Sequence, residues 1–427
     1  MKKVLIITYY WPPAGGPGVQ RWLKFVKYLK SFDIEPVVYV PENPSYPIID
    51  KSFEKQIPEG VKVIKKKIFE PYSIAGIFSK KDTETISSGI IQKEEHQSFL
   101  QKTLLYIRGN YFIPDARKFW VKPSVEFLRK EIENSEYDAI ITTGPPHSLH
   151  LIGLKLKKTL GVKWIADFRD PWTQIGYHEK LKLNRKSRKK HEKMEGEVLT
   201  SADHIITTSF TTRKEFRNKT EKPVTVITNG FDIDINSEFN EQEKFQISHI
   251  GSLLSGRNPG NLWKAIKKLA EENENFRNKL EIRLAGKLSE EVLQSIYEHG
   301  LQPYLVNEGY VSHSRAIEMQ QSASVLLLIE IDSEETRGII PGKLFEYLAA
   351  KRSILAIGPE NWDAEKIISE TGAGSVHAYE DLEGIKERIW KLFQNFQKGN
   401  LISNSHDLEQ YHRRSLTGKL AKLIREI

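Results

Sequence analysis

The sequence predicts an α/β protein made of two consecutive doubly wound parallel-sheet domains facing a cleft. Three observations carry that prediction. Short apolar runs alternate with helical patterns along most of the 427 residues. Loops rich in Gly, Pro and polar residues follow the apolar runs, as at the carboxyl edge of an open α/β sheet. The alternation stops once, in the polar span 234–244, and then starts again. This gives a domain over 1–233, a linker over 234–244 and a second domain over 245–405. A closing helical segment, 406–427, can pack back on the first domain.

Composition narrows the class. Hydrophobic residues make up 39% and charged residues 28%, which suits a folded core rather than a disordered chain. No apolar run approaches the roughly 18–20 residues that span a bilayer. Met1-Lys2-Lys3 runs straight into a strand pattern, unlike a signal peptide. The absence of cysteine excludes disulfides, thiolate nucleophiles and Cys-type zinc sites, and a cytoplasmic location is the simplest expectation. The net charge of +8 favours an anionic partner: a nucleotide, a nucleic acid or a membrane face.

In chain order, residues 4–10 read as a first buried strand. Gly15-Gly16-Pro17-Gly18 and a helical pattern over 19–30 follow it. A glycine loop in that position lets backbone N–H groups approach a ligand closely. It matches neither Gly-x-Gly-x-x-Gly nor a Walker loop, so it supports neither a dinucleotide nor ATP. Residues 37–40 and 61–64 read as strands, and 69–95 as a long loop or insertion. Residues 99–112 form an amphipathic pattern, and 123–132 a helix opened by Pro123.

The strand 139–143 ends in Gly144-Pro145-Pro146-His147-Ser148, and the strand 163–167 in Asp167-Phe168-Arg169-Asp170. Polar residues at successive strand ends make His147, Asp167, Arg169 and Asp170 candidates. For the last three, mutual ion pairing is an equal alternative. Residues 180–193 hold eight Lys or Arg against one Glu before a helix over 194–199, a pattern usual for a solvated helix face. Strands at 204–209 and 224–228 complete the first array.

The second array opens with a strand at 246–250 and a glycine loop from Gly251 to Gly260 that contains Arg257. Strands follow at 281–285, 305–307, 325–329, 354–357 and 375–378, and helices at 382–396 and 407–427. The unit over 338–358 is a strand-bounded helix opened by Pro341 and Gly342. Leu344, Phe345, Leu348 and Ala349 fall on one side of it, and Lys343, Glu346 and Tyr347 on the other. A helix start at a sheet's carboxyl edge binds anions, where Lys343 adds a cation and Glu346 an acceptor for a sugar diol. A solvated Lys–Glu pair at i, i+3 is the plain alternative.

In order and spacing, these elements resemble the family-4 retaining glycosyltransferases, whose fold is the GT-B pair of Rossmann-type domains. The matching segments are 15–18, 144–148, 167–170, Ile227-Thr228-Asn229-Gly230-Phe231-Asp232, 251–257 and 341–346. The resemblance implies a nucleotide-sugar donor held by the second domain and an acceptor held by the first. It implies donor-binding roles for Gly15, Gly16, Gly251, Gly342 and Glu346, with Arg257 and Lys343 as cations on the diphosphate. His147 is implied to lie against the transferred sugar. His147, Arg257 and Lys343 are thus the implied catalytic set, and Gly18, Asp167, Arg169 and Asp170 are expected on the acceptor side. Two positions depart from the pattern: Gly338 stands where the family has its first glutamate, and Ser252 where an arginine usually follows the loop glycine.

No Asp-x-Asp stands where it would carry a metal-bound diphosphate, so no metal and no cofactor are expected. The expected activity is transfer of a sugar to a glycan or lipid-linked acceptor in surface polysaccharide biosynthesis. The alternatives are a GT-B nucleotide-sugar epimerase or hydrolase, or a non-catalytic nucleotide-binding protein. Nucleic acid is not expected, because the 180–193 run lacks interleaved aromatics. Lys65-Lys66-Lys67, the amphipathic 99–112 and the 180–193 run together suggest peripheral contact with an anionic membrane.

Overall fold

The computed structural model describes residues 1–70, 99–174, 181–233 and 243–427. The expected long loop at 69–95 and linker at 234–244 fall almost wholly outside these residues, as does Lys180. The described chain forms two compact units, one of Met1–Asn229 with Arg413–Ile427, the other of Gly230–His412.

The first unit holds seven strands: β1 (Lys2–Ile7), β2 (Ile34–Pro41), β3 (Lys62–Lys66), β4 (Ala139–Gly144), β5 (Trp164–Phe168), β6 (His204–Thr207) and β7 (Val224–Val226). They lie in the order β3-β2-β1-β4-β5-β6-β7, every pair parallel. The order reverses between β1 and β4, so the loops after those strands diverge at the carboxyl edge. Val4 to Ile7 have no exposed surface because helices cover both faces of the sheet.

The helix Pro17–Leu29 starts with Pro at its first turn and buries Trp22, Leu23, Val26 and Leu29, a stripe at helical spacing. Leu416, Leu420, Leu423 and Ile424, from the helix Arg413–Glu426, join the same core. Lys2 Nζ donates to the Ile424 carbonyl at 3.1 Å, which ties the first strand to that last helix.

Two helices of this unit differ from the sequence reading. The one read as 123–132 runs over Lys118–Asn134 with Pro123 inside. Burial of Trp120 and Val121 outweighs the one bond that Pro123 cannot make. The one read as 194–199 runs over Arg185–Ser201, capped by Asn184, whose side chain accepts from Ser187 N at 2.8 Å. Its buried stripe begins with Ser187, His191 and Glu195, polar residues that hide the helical period from a hydrophobic pattern.

The second unit holds β8 (Phe245–Ile250), β9 (Leu280–Ala285), β10 (Leu305–Gly309), β11 (Val325–Ile329), β12 (Ser353–Ile357) and β13 (Gly374–His377). The six strands are again all parallel, in the order β10-β9-β8-β11-β12-β13. Its core interleaves these strands with the helices Gly260–Glu272 and Leu382–Gln397 around Phe245, Phe276 and Phe393. Here too the order reverses at one place, between β8 and β11. The loop after β8 and the helix Gly342–Ala349 after β11 therefore stand at the switch point.

Candidate functional site

In the first unit, the loops after β1, β4 and β5 carry the predicted residues. Gly15 donates its N–H to the Ile48 carbonyl at 2.9 Å, and Gly16 stands just before the helix Pro17–Leu29. Gly18 lies directly against the Arg169 guanidinium, where a side chain would collide with it. Arg169 is held from both ends. Its N–H donates to the Gly144 carbonyl at 2.9 Å, and its guanidinium donates to the Pro145 carbonyl and lies over the Tyr10 ring. Gly18 and Arg169 are thus brought together, while the Asp170 side chain is exposed to solvent.

Asp167 has no exposed surface and its oxygens are engaged. They accept from Arg21 Nη2 at 2.8 Å, Arg21 Nε at 3.3 Å, Trp22 Nε1 at 2.8 Å and Thr143 Oγ1 at 2.9 Å. Burial alone would raise its pKa. The Arg21 charge and the donors Arg21, Thr143 and Trp22 outweigh burial and hold the carboxyl below its usual range. Arg21 carries the link onward by donating to the Thr228 carbonyl at 2.9 Å. Asp167 therefore braces the strand ends of this unit and has little capacity left for a ligand.

His147 is buried and stacks flat on Trp172, ring centroids 5.0 Å apart and 6° from parallel. It stands at the start of the helix Ser148–Leu160. Asp115 occupies that helix start: its two oxygens accept from Ser148 N at 2.9 Å and Ser148 Oγ at 2.8 Å. His150, one turn on, is wholly buried against Phe168 and shares a hydrogen bond with Thr142 Oγ1 at 2.9 Å. Burial pushes its pKa down to about 3, so it is neutral at physiological pH.

In the second unit, Lys343, Arg257, Gly251 and Glu346 gather at the switch point. Gly251 has φ +123°, a conformation that side chains rarely adopt, and a Cβ there would meet Lys343 Nζ at 2.7 Å. Lys343 sits in the first turn of the helix Gly342–Ala349, with Gly342 exposed just before it. Burial, with the nearby Arg257 charge, lowers the Lys343 pKa to about 8; Glu330 and Glu346 oppose that shift.

Arg257 pairs with Glu330, Nη2 at 2.6 Å and Nε at 2.9 Å from the same oxygen, which also accepts from Ile331 N at 2.9 Å. Glu330 is itself buried, at the end of β11. Glu346 accepts from Gln320 Nε2 at 2.9 Å. Tyr347, read from sequence as sharing the polar side with Lys343 and Glu346, is instead buried. Its hydroxyl accepts from Ile250 N at 3.0 Å, which satisfies the polar tip and lets the ring enter the core.

Sequence reasoning missed Asp115, His150, His249, Gln320 and Glu330. Among them, Glu330 and His249 carried a signal: each is a polar residue at the end of, or within, an apolar run otherwise bound for the core. Among the described residues, no group of three or more His, Asp or Glu could hold a metal ion. None of the described helices is long and apolar enough to cross a membrane.

The two parallel sheets with interleaved helices are those of the GT-B fold, the two-domain architecture expected from sequence. Residues 90–235 match the family model of Glycosyltransferase Family 4. That match supports sugar transfer as the activity, and the whole chain carries the GT-B fold.

Three solved structures align over nearly the full length. Sucrose-phosphate synthase from Thermosynechococcus elongatus is 12% identical, covers 100% of this chain and 99% of its own, and has a TM-score of 0.60. The lipopolysaccharide outer core galactosyltransferase WaaB is 12% identical, covers 100% of both chains and scores 0.57. The S. aureus TarM G117R mutant, solved with fondaparinux, α-GlcNAc-glycerol and UDP, is 12% identical, covers 99% of this chain and 100% of its own and scores 0.58. At such identity the likeness is one of fold. No curated protein matches the chain in sequence.

Proposed function

We propose that the chain transfers a hexosyl group, with retention of configuration, from a nucleoside-diphosphate sugar to a glycan or lipid-linked acceptor in surface polysaccharide biosynthesis. The observation that carries this is Lys343, a cation in a helix's first turn, set against the side-chain-free surface of Gly251 at a sheet switch point. In this reading the bond from the sugar C1 to the diphosphate oxygen breaks, and negative charge grows on the leaving phosphate. Lys343 and the helix-start N–H groups stabilise that charge, Arg257 supports them, and no metal is required. The acceptor hydroxyl attacks from the same face and the leaving phosphate takes its proton. Glu346 serves the ribose diol, Gly15 and Gly16 border the donor phosphate, and His147 acts on the transferred sugar. Arg169 and Asp170 serve the acceptor, braced by Asp167.

Support for the acceptor class comes from WaaB, named as a lipopolysaccharide enzyme, and support for a UDP donor from the UDP in the TarM structure. The test is incubation of the purified chain with a panel of nucleotide sugars, with and without glycan and lipid-linked acceptors, read by mass spectrometry. A new glycoside formed only with acceptor, and unaffected by a chelator, is the expected result. An epimer or free sugar formed from donor alone would replace this reading with an epimerase or hydrolase. His147→Ala should lower turnover strongly while leaving UDP affinity within a few-fold. Normal turnover in that variant would remove His147 from the chemistry.

The same reading locates the chain in the cytoplasm, docked on an anionic membrane face. The helix Arg185–Ser201 exposes Arg185, Lys186, Arg188, Lys189, Lys190 and Lys193. Lys190 lies near enough to Lys118 to help lower its pKa, after burial, and Lys118 sits over the rings of Phe112 and Phe119. Phe119 is exposed and packs on Phe69, which is also exposed. Cations beside exposed aromatics suit a lipid headgroup layer, each charge contributing about 1 kcal/mol. Co-sedimentation with phosphatidylserine vesicles at low salt, lost at high salt and lost on Lys186→Glu with Lys190→Glu, is expected. Equal behaviour with neutral vesicles would argue for a soluble acceptor.

A further inference from the structure

β8 ends in an apolar core yet carries His249, a residue with no exposed surface. Its Nδ1 lies 3.0 Å from the Leu327 carbonyl. A carbonyl only accepts, so Nδ1 holds the proton and, in the neutral ring, Nε2 presents a bare lone pair. Lys343 Nζ stands 3.1 Å from that Nε2. An ammonium donates only, so the two polarities match. The flexible Lys343 stem would otherwise leave its head free among several rotamers.

We propose that His249 is a positioning residue: its Nε2 accepts a hydrogen bond from the Lys343 ammonium and fixes that cation beside Gly251. The inference rests on the donor-site reading of Lys343 and adds to it the group that holds Lys343 charged and in place. The pair stands in a charged setting. Arg257 and Glu330 act on Lys343 from the loop after β8 and the end of β11, and Glu346 from the next turn of the same helix. Burial, and then the Lys343 charge with a contribution from Arg257, push the His249 pKa well down against the opposing backbone hydrogen bonds of Leu327 and Ser252, so the imidazole stays neutral while Lys343 titrates. Leu327 fixes the ring's tautomer, and the tautomer fixes which partner Nε2 can take.

The test uses the full-length protein and reads Lys343 directly, through the pH titration of its ¹³Cε resonance, assigned with Lys343→Arg. His249→Leu removes the acceptor but keeps an apolar-compatible volume; it should move the Lys343 midpoint down by about one pH unit, the size of a lost charge-assisted bond. His249→Gln restores an acceptor and should recover most of that shift. UDP affinity should follow: about fivefold weaker than wild type at pH 8 in His249→Leu, and close to wild type at pH 6.5, where Lys343 is mostly charged in both. A purely structural loss would weaken binding equally at both pH values. An unmoved Lys343 midpoint in His249→Leu, or the same midpoint in the Leu and Gln variants, overturns the proposal. If His249→Leu fails to fold, ¹⁵N resonances of the wild-type ring decide: a proton on Nε2 at neutral pH overturns it, and one on Nδ1 alone upholds it. Should Lys343→Ala bind UDP like wild type, the donor reading falls, while the Lys343 titration still judges the His249 contact.

Discussion

Lys343→Ala should weaken binding of UDP, or of inorganic pyrophosphate, by about ten- to a hundredfold, because one charge-assisted hydrogen bond to phosphate is worth roughly 1.5–3 kcal/mol. The effect is expected to depend on pH with a definite sign. The Lys343 pKa is lowered to about 8, so the wild-type cation is present below that pH and is lost above it. Wild-type affinity should therefore fall as pH rises through about 8, while Lys343→Ala should stay flat across the same window. Lys343→Arg keeps a charge at every pH, but its larger planar head does not suit the space beside Gly251, so only part of the affinity should return. Calorimetry at pH 6.5, 7.5 and 8.5 gives all three comparisons. A wild-type profile that is flat over that range would remove Lys343 from the diphosphate.

Asp167→Asn is expected to be the most destabilising single change in the first unit. It leaves the Arg21 guanidinium buried without a counter-charge, a situation that costs about 3–5 kcal/mol. For a unit of this size the melting transition should fall by roughly 6–20 °C. Arg21→Met combined with Asp167→Asn should recover part of the loss, since no lone buried charge then remains. The acid side of the stability profile carries the same information. The folded carboxyl has a pKa below its unfolded value, so its contribution is complete above the unfolded pKa and is lost as pH falls through the folded one. In Asp167→Asn that acid-dependent portion should disappear. A melting temperature within a degree or two of wild type would show that water, rather than Asp167, satisfies Arg21.

The fold was legible because parallel strands buried on both faces read as continuous apolar runs, such as Val325 to Ile329, whatever their partners. The helices were less so. Arg185–Ser201 turns Ser187, His191 and Glu195 inward, and Glu195 is matched by Thr173 and Lys219, residues distant in sequence. No local pattern encodes a buried polar stripe whose partners arrive through tertiary contact. The site divided in the same way. Lys343 and Gly251 stand where a helix start and a glycine loop announce them, whereas His249 and Glu330 matter through contacts across the sheet, with Lys343 and Arg257. Asp167 was legible as a strand-end carboxylate, but its saturation by Arg21 and Trp22 depends on a pairing across more than a hundred residues.

The helix Arg413–Glu426 shares a core with Trp22 and Val26, although the whole of Gly230–His412 lies between them in the chain. One unit is therefore continuous in sequence and the other is interrupted. On the ribosome the continuous unit has all its residues available first and can close its core while its discontinuous neighbour still lacks one covering helix. Until residues 413–427 emerge, the apolar stripe of Pro17–Leu29 has only part of its cover. The core of the first unit thus closes only with a segment made after the whole of the second unit.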